Sequence, residues 1–365
     1  PWAGEERHQL QAMMMNPDGS PFNVDPRQVL KNIVDRFHER GWYPVMATEL
    51  EFYLMDGDSE EVQRPRPPVL DRGHGRRLNT TDAYSIEDVD GLESFFAEVR
   101  AACDVQGVLA DTIISELGPG QFEINLKHVS DPLNAGDQSI WFKRLVKGIA
   151  RKHGYTSTFM AKPFAEHSGN GFHVHFSLVD KDGNNLFDNG GEEGTEMLTQ
   201  AIAGLLELMP SSMLLFAPHL NSYRRFQDGS HAPVFACWGY ENRTTAVRVP
   251  EGDPEARRLE HRVSGADANP YLVLAAVLAG SLYGLNNKLV PPEPMEGDAY
   301  ADSHESTRLP YRWDDAIKAL DKSAVLREYL GDEFVDVFCA IKRQEITELN
   351  SRISDIEYES YLGLL

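Results

Sequence analysis

Cysteine is scarce. Cys103, Cys237 and Cys339 are the only three in 365 residues, and no two form a CxxC pair. That spacing offers neither a zinc knuckle nor a disulfide framework, and it fits a reducing, cytoplasmic setting. Positive charge is in the minority: 35 Lys and Arg stand against 57 Asp and Glu, for a net charge of −22. That balance argues against a nucleic-acid partner. No run of about 18 apolar residues is there to span a membrane. No signal-peptide pattern opens the chain, which begins with Pro1 rather than Met. A GxxxxGK[ST] phosphate loop, a kinase glycine loop and a serine or cysteine nucleophile motif are also missing. No tandem repeat is visible. What remains is ordinary for a globular protein, 41% hydrophobic and 25% charged, with a length suited to one large domain or two.

The stretch Thr48-Glu49-Leu50-Glu51-Phe52-Tyr53-Leu54 sets two carboxylates two residues apart in an apolar run. Strand side chains repeat every two residues, so Glu49 and Glu51 share one face and Leu50, Phe52 and Leu54 the other. Side by side, like charges are unfavourable unless something positive lies between them. A hard divalent cation answers that need; a solvated strand face is the plainer alternative.

Read in order, residues 1–23 suggest a strand and a turn. A helix follows from Asp25-Pro26, with Val29, Ile33, Val34 and Phe37 at helical spacing and Gly41 as its stop. Residues 56–83 read as a long surface loop holding Arg64, Arg66, Arg72, Arg76 and Arg77. Further helices are expected over 89–106, from Asp131-Pro132 to about His153, from Glu193 to a stop at Pro210, and from Asn269-Pro270 to about Lys288. Residues 113–126 read as strand, Gly-Pro-Gly turn, strand, with Glu123 and Asn125 on one face. In 168–178, His173, His175 and Ser177 alternate with Phe172, Val174, Phe176 and Leu178. A Pro- and acid-rich loop over 291–312 precedes two or three closing helices.

Glu49, Glu51, Glu116, Glu123, His173, His175 and Glu260 all fall on strand-like stretches with one apolar face. A single antiparallel sheet would aim them into one cleft. Carboxylates with imidazole suit Mg²⁺ or Mn²⁺ better than zinc. Arg225, Arg243, Arg248, Arg258 and Arg262 would bring positive charge to the same place, and the guanidinium fork matches carboxylate and phosphate oxygens. Metals with arginines and no nucleophile point to phosphoryl transfer from a nucleotide. Taken singly each piece is weak, since a strand histidine is more often structural and a lone arginine more often a surface charge.

The chain resembles the glutamine synthetase family along its whole length. The matching stretches are TELEFYL (48–54), ELGPGQFEINL (116–126), FMAKPF (159–164), GNGFHVHFSL (169–178), NSYRRF (221–226), ENRTTAVRVP (241–250), ARRLEHRVSGADANPYL (256–272) and YESYL (358–362), in the family's order. The resemblance implies an α+β catalytic domain over 1–365, with a large curved antiparallel sheet, flanking helices and a C-terminal helical part from about 313. It implies a homo-oligomer, a hexameric ring or a stacked double ring. Two or more Mg²⁺ or Mn²⁺ ions per site are implied, one held by Glu49, His173 and Glu260 and another by Glu51, Glu116 and Glu123. ATP, the co-substrate, would meet His175, Ser177, Arg243, Arg248 and Arg258. Glutamate would meet Gly169, Arg225 and Arg262. Arg262, Arg243 and His231 are the expected catalytic residues. In the family reaction ATP phosphorylates the γ-carboxylate of glutamate, and an amine then displaces phosphate.

Departures bear on the amine. Ammonia-using members carry a glutamate directly before Ala-Pro on a flexible loop, and here that place is His231-Ala232-Pro233. Ser168 stands where the family has an asparagine, and Glu255 where it has a lysine before Arg-Arg. The loop at Tyr84-Ser85 and the wording GPGQFEINL look closer to the γ-glutamylpolyamine synthetases. An organic amine or polyamine is therefore the expected acceptor, with ammonia, or a non-catalytic role in assembly or sensing, as alternatives. His231 would either take the amine proton or line a roomier pocket. Family members also carry a small domain of about 100 residues ahead of the stretch matching Pro1, which closes a neighbouring site; it is not in this sequence. No nucleic-acid or membrane partner is expected.

Overall fold

Asp25 caps the first helix, α1 (Pro26–His38), by accepting from the Arg27 N–H, and Pro26 occupies the first turn. Val29, Leu30, Ile33, Val34 and Phe37 turn inward. Gly41, at φ 71°, swings the chain into β1 (Tyr43–Asp56). Along β1, Met46, Leu50, Phe52 and Leu54 are buried while Glu49 and Glu51 stand on the other face. The computed structural model describes residues 2–4, 7–57, 65–70, 77–79, 83–302 and 306–364. Arg64, Arg72 and Arg76 of the expected loop lie outside the described residues.

After β1 come α2 (Ile86–Asp90), α3 (Glu93–Gln106), β2 (Ala110–Ser115), β3 (Gln121–Leu126), α4 (Pro132–Lys152) and β4 (Tyr155–Thr158). Then follow β5 (Phe172–Val179), α5 (Glu196–Phe216), β6 (Phe235–Ala236), β7 (Trp238–Tyr240), β8 (Val247–Val249) and β9 (Leu259–His261). The chain ends with α6 (Pro270–Asn287), α7 (Ala299–Asp302), β10 (Thr307–Arg308), α8 (Trp313–Lys322), α9 (Ala324–Leu330), α10 (Asp332–Asn350) and α11 (Asp355–Tyr361). The main sheet has eight strands in the order β2-β3-β1-β5-β9-β8-β7, with β4 beside the far half of β1. Its pairings are antiparallel except β7 with β8, which run parallel. β1 is the axis: β3 lies on one side of it, and β5 then β4 on the other. α4 rests on the apolar face, and α5 and α6 pack tightly together.

Several expectations change. Residues 13–15 form no strand; one bridge joins Met15 to Pro21 around the turn. The helix expected over 89–106 is two helices, broken at Gly91 and Leu92, and Gly107 at φ 69° ends the second. Pro210 does not end α5, which runs on to Phe216. An interior proline costs roughly 3 kcal/mol. Burial of Met213, Leu214, Leu215 and Phe216 beyond it offsets this, at roughly 1.5–3 kcal/mol per side chain. α5 is also apolar and long enough to cross a membrane, but 72% of its most apolar window is buried inside the protein. The 291–312 loop contains α7 and β10, and four helices rather than two or three close the chain.

The α5–α6 seam depends on glycine. A Cβ on Gly284 would sit 1.9 Å from the Gln200 carbonyl oxygen, and one on Gly204 would sit 2.2 Å from that of Gly280. Backbone cannot yield as a side chain would. Gly284→Ala gains about 1 kcal/mol of helix propensity, yet the overpacking costs about 1–3 kcal/mol or more. We expect a net loss of stability in denaturant unfolding; an unchanged midpoint would contradict this close approach.

Candidate active site

Register, more than any single residue, builds the site. Partners across a ladder share a face, and three rows cross the sheet. The first joins Asn125, Glu49 and His173; the second joins Ile114, Glu123 and Glu51; the third joins Ala47, His175, Glu260 and Arg248. Because core residues occupy the alternate positions, the acids and histidines are turned to one side. A cleft of about 550 Å³ opens over them. It is lined by Glu49, Glu51, Glu116, Glu123, Glu260 and His173, with Arg225, Arg243, Arg248 and Arg262. A larger cavity of about 970 Å³, between the N-terminal residues, α4 and α10, contains none of these groups.

Glu49 is the hub. Its carboxylate lies 2.7 Å from His175 Nε2 and 3.1 Å from His173 Nδ1, and it accepts from Asn125 Nδ2 at 2.7 Å. Burial alone would raise its pKa, but His175 and His173 outweigh that and hold it well below the usual carboxylate range. Glu51 accepts from the Gly171 N–H at 2.7 Å and from Gln121 Nε2 at 3.2 Å. Glu260, almost fully buried, is gripped by Arg248 Nη1 at 2.8 Å and by Arg262. Burial raises its pKa, but Arg262 and the two histidines bring it down to about 2. The other acids go the opposite way. Burial, then Glu51 and Glu49, push Glu116 up to about 8. Glu123 is driven well above the carboxylate range by burial and by Glu49, Glu51, Glu116 and Glu260.

This crowding is what a cation would relieve. Oxygen donors with imidazole fit Mg²⁺ or Mn²⁺. Among the described residues, two ligand sets converge within 4.8 Å: Glu49, Glu123 and His173, and Glu49, His175 and Glu260. Glu51 and Glu116 line the same cleft without joining either set, and Glu51 Oε1 is 3.9 Å from His173 Nε2. Glu116 sits in the turn just after β2, not on the strand. His175 lies in one ligand set, and Arg258 Nε donates to its Nδ1 at 3.1 Å. Ser177 is one step further along β5, beyond the cleft lining. Arg225 is buried and donates to the Val263 carbonyl at 2.8 Å. Gly169 is needed beside it, since a Cβ there would meet the Ala161 oxygen at 2.4 Å and Arg225 Cγ at 2.8 Å. Arg243 lines the cleft, and so does exposed His231, held at φ 61°.

Sequence reasoning passed over Gln121. Its amide donates to Glu51, to the Gly169 carbonyl and to Asn170, and its oxygen accepts from Ser168 at 2.9 Å. It stands two residues before Glu123, so the same alternation would have found it.

Fold and cleft together define a class: a metal-dependent enzyme that gathers anionic groups between an acidic floor and arginines. Residues 23–361 match the glutamine synthetase catalytic domain, and the chain belongs to that family. It is 41% identical over 351 residues to the γ-glutamylputrescine synthetase PuuA of Escherichia coli strain K12, covering 96% of this chain and 74% of that protein. It is 36% identical over 372 residues to a glutamate–isopropylamine ligase of a Pseudomonas species, covering all of this chain and 79% of the relative. The solved structure described as apo GmaS without ligand superposes with a TM-score of 0.84 at 30% identity, covering 94% of this chain and 78% of that one.

The raised carboxyls make a pH prediction. A group titrating at 4.5 in the unfolded chain and at about 8 in the fold binds more protons when folded between those values. Stability therefore falls as pH climbs through that window. Glu260 titrates below it, but buried His261, pushed down to about 3 from 6.5, contributes the opposite slope up to 6.5. Above that range the raised carboxyls act alone, so metal-free protein should melt at progressively lower temperature from pH 6.5 to about 8, and Mn²⁺ should remove the decline. A flat metal-free profile would contradict the crowding.

Proposed function

We propose that this chain is an ATP-dependent ligase that joins the γ-carboxylate of glutamate to an organic amine. The observation that carries this reading is the pairing of the Glu49–Glu51–Glu123 floor with four arginines inside one cleft. Similarity to a γ-glutamylputrescine synthetase and a glutamate–isopropylamine ligase supports an organic amine over ammonia. His231 in place of an acid before Ala-Pro supports it as well.

In the first step a γ-carboxylate oxygen of glutamate attacks the terminal phosphorus of ATP, and ADP leaves. In the second, the amine nitrogen attacks the activated carbonyl carbon; the C–O bond to phosphate breaks, phosphate departs, and nitrogen sheds a proton. Divalent cations held by the carboxylates would screen the phosphate oxygens and offset the charge that develops. Arg225 and Gly169 are the groups proposed to hold glutamate. Arg243, Arg248, Arg258 and Arg262 supply fixed positive charge along the phosphate path. Glu260 fixes two of those arginines by direct ion pairs, so its role extends past metal binding. His231, at the cleft wall, is the group proposed to take the proton from the amine.

The reading includes one catalytic domain over 1–365, with residues 313–365 its helical end, supported by one core cluster that runs from Val29 to Cys339. It also includes a homo-oligomer, in a hexameric or stacked double ring. Apolar side chains left exposed near the C-terminus, Ile353 at 63%, Ile356 at 71% and Leu362 at 77%, support self-association. A cytoplasmic location is supported by three buried, unpaired cysteines.

The test is phosphate release with ATP, Mg²⁺ and glutamate across ammonium and a panel of primary amines, with the amide product identified by mass. We expect turnover with organic amines and a poorer rate with ammonium. Ammonium as the best acceptor would overturn the amine assignment, and no turnover with any amine would overturn the ligase assignment.

A further inference from the structure

Part of the cleft is apolar, and the chemistry above makes no use of it. Ala83, Tyr84, Ile114 and Leu117 line it beside the acids. Ile114 is the most informative. It lies on edge strand β2 opposite Glu123, which itself lies opposite Glu51. The row across the floor thus reads carboxylate, carboxylate, isoleucine. Its neighbour Ile113 packs on the core, so alternation gives Ile114 to the cleft. An aliphatic side chain there does nothing for a cation or a phosphate, and a polar residue would sit on that face at lower cost.

The other members of the wall adjoin it. Leu117 directly follows Glu116. The Tyr84 N–H donates to the Ser115 carbonyl at 2.8 Å, tying the Ala83–Tyr84 segment to the end of β2. Tyr84 is held at φ 66°, uncommon for an aromatic residue, and the residue is left 64% exposed. One strand end therefore gathers four apolar groups next to Glu51 and Glu116, in the cleft that His231 also lines.

We propose that this wall is the subsite for the carbon chain of the amine acceptor. The inference rests on the ligase reading. The wall takes the alkyl part of a primary amine while the nitrogen is presented to the activated carbonyl carbon, and ammonia has nothing to place there. Each methylene withdrawn from water on such a surface strengthens binding about fourfold.

The experiment measures kcat/KM for methylamine, ethylamine, n-propylamine and n-butylamine with saturating ATP, Mg²⁺ and glutamate. In the unaltered protein kcat/KM should climb by roughly two- to fourfold per methylene, mainly through KM. Ile114→Thr and Leu117→Asn should flatten the series, and Ile114→Val should restore the slope. The readout is the n-butylamine to methylamine ratio within each variant, so a general loss of folded enzyme lowers both terms and leaves the ratio intact. A flat series with sustained methylamine turnover, or an unchanged slope in Ile114→Thr and Leu117→Asn, overturns the subsite and leaves the ligase reading in place. Absence of turnover with every amine overturns both.

Discussion

Everything in this protein that bears on chemistry depends on the repulsion among carboxylates brought together by strand register. Glu49, Glu51, Glu116, Glu123 and Glu260 share one cleft. No sheet gathers so many like charges without an opposing gain, because burial and mutual repulsion both disfavour the charged form. Two devices meet the cost. Glu49 is hydrogen-bonded by His173 and His175, and Glu260 is neutralised by Arg248 and Arg262. For Glu116 and Glu123 burial and the neighbouring carboxylates outweigh the more distant His173, Arg243 and Arg262, and both are pushed toward the protonated form. The cleft is thus poised to exchange protons for cations, which is the footing a phosphoryl-transfer site requires.

The rest of the fold can be seen as what keeps those rows aligned. β1 pairs on both sides at once, so a one-residue slip would send Leu50 and Phe52 into the cleft and the glutamates into the core. Phe122, Ile124, Phe172, Val174 and Phe176 impose the same penalty on the neighbouring strands. Behind the sheet, α4 and the α5–α6 pair supply the apolar mass against which that register is fixed.

Much of this was legible in the sequence, because a period of two is easily read. The strands bearing Glu49, Glu51, Glu123, His173 and His175 fell where alternation placed them. What stayed hidden depends on pairing across distance. Nothing local reveals that Arg248, twelve residues away, will join Arg262 on Glu260, or that Ile114 will continue a row of carboxylates. Proline misled at position 210, since tertiary burial overrode the local preference, and Gly91 broke a helix that periodicity alone would continue. Gln121 was missed for a different reason: attention went to charged residues, while an amide on the same face ties Glu51 to the Ser168–Asn170 segment.

The central claim is that the carboxylates form a cation site organised around Glu49. Titration of the metal-free protein with Mn²⁺, followed by electron paramagnetic resonance, tests it most directly. At least two saturable ions per chain are expected, matching the two ligand sets that share Glu49, with a loss of at least one of them in Glu49→Ala. Absence of saturable binding, or the same stoichiometry and affinity in Glu49→Ala, would contradict it.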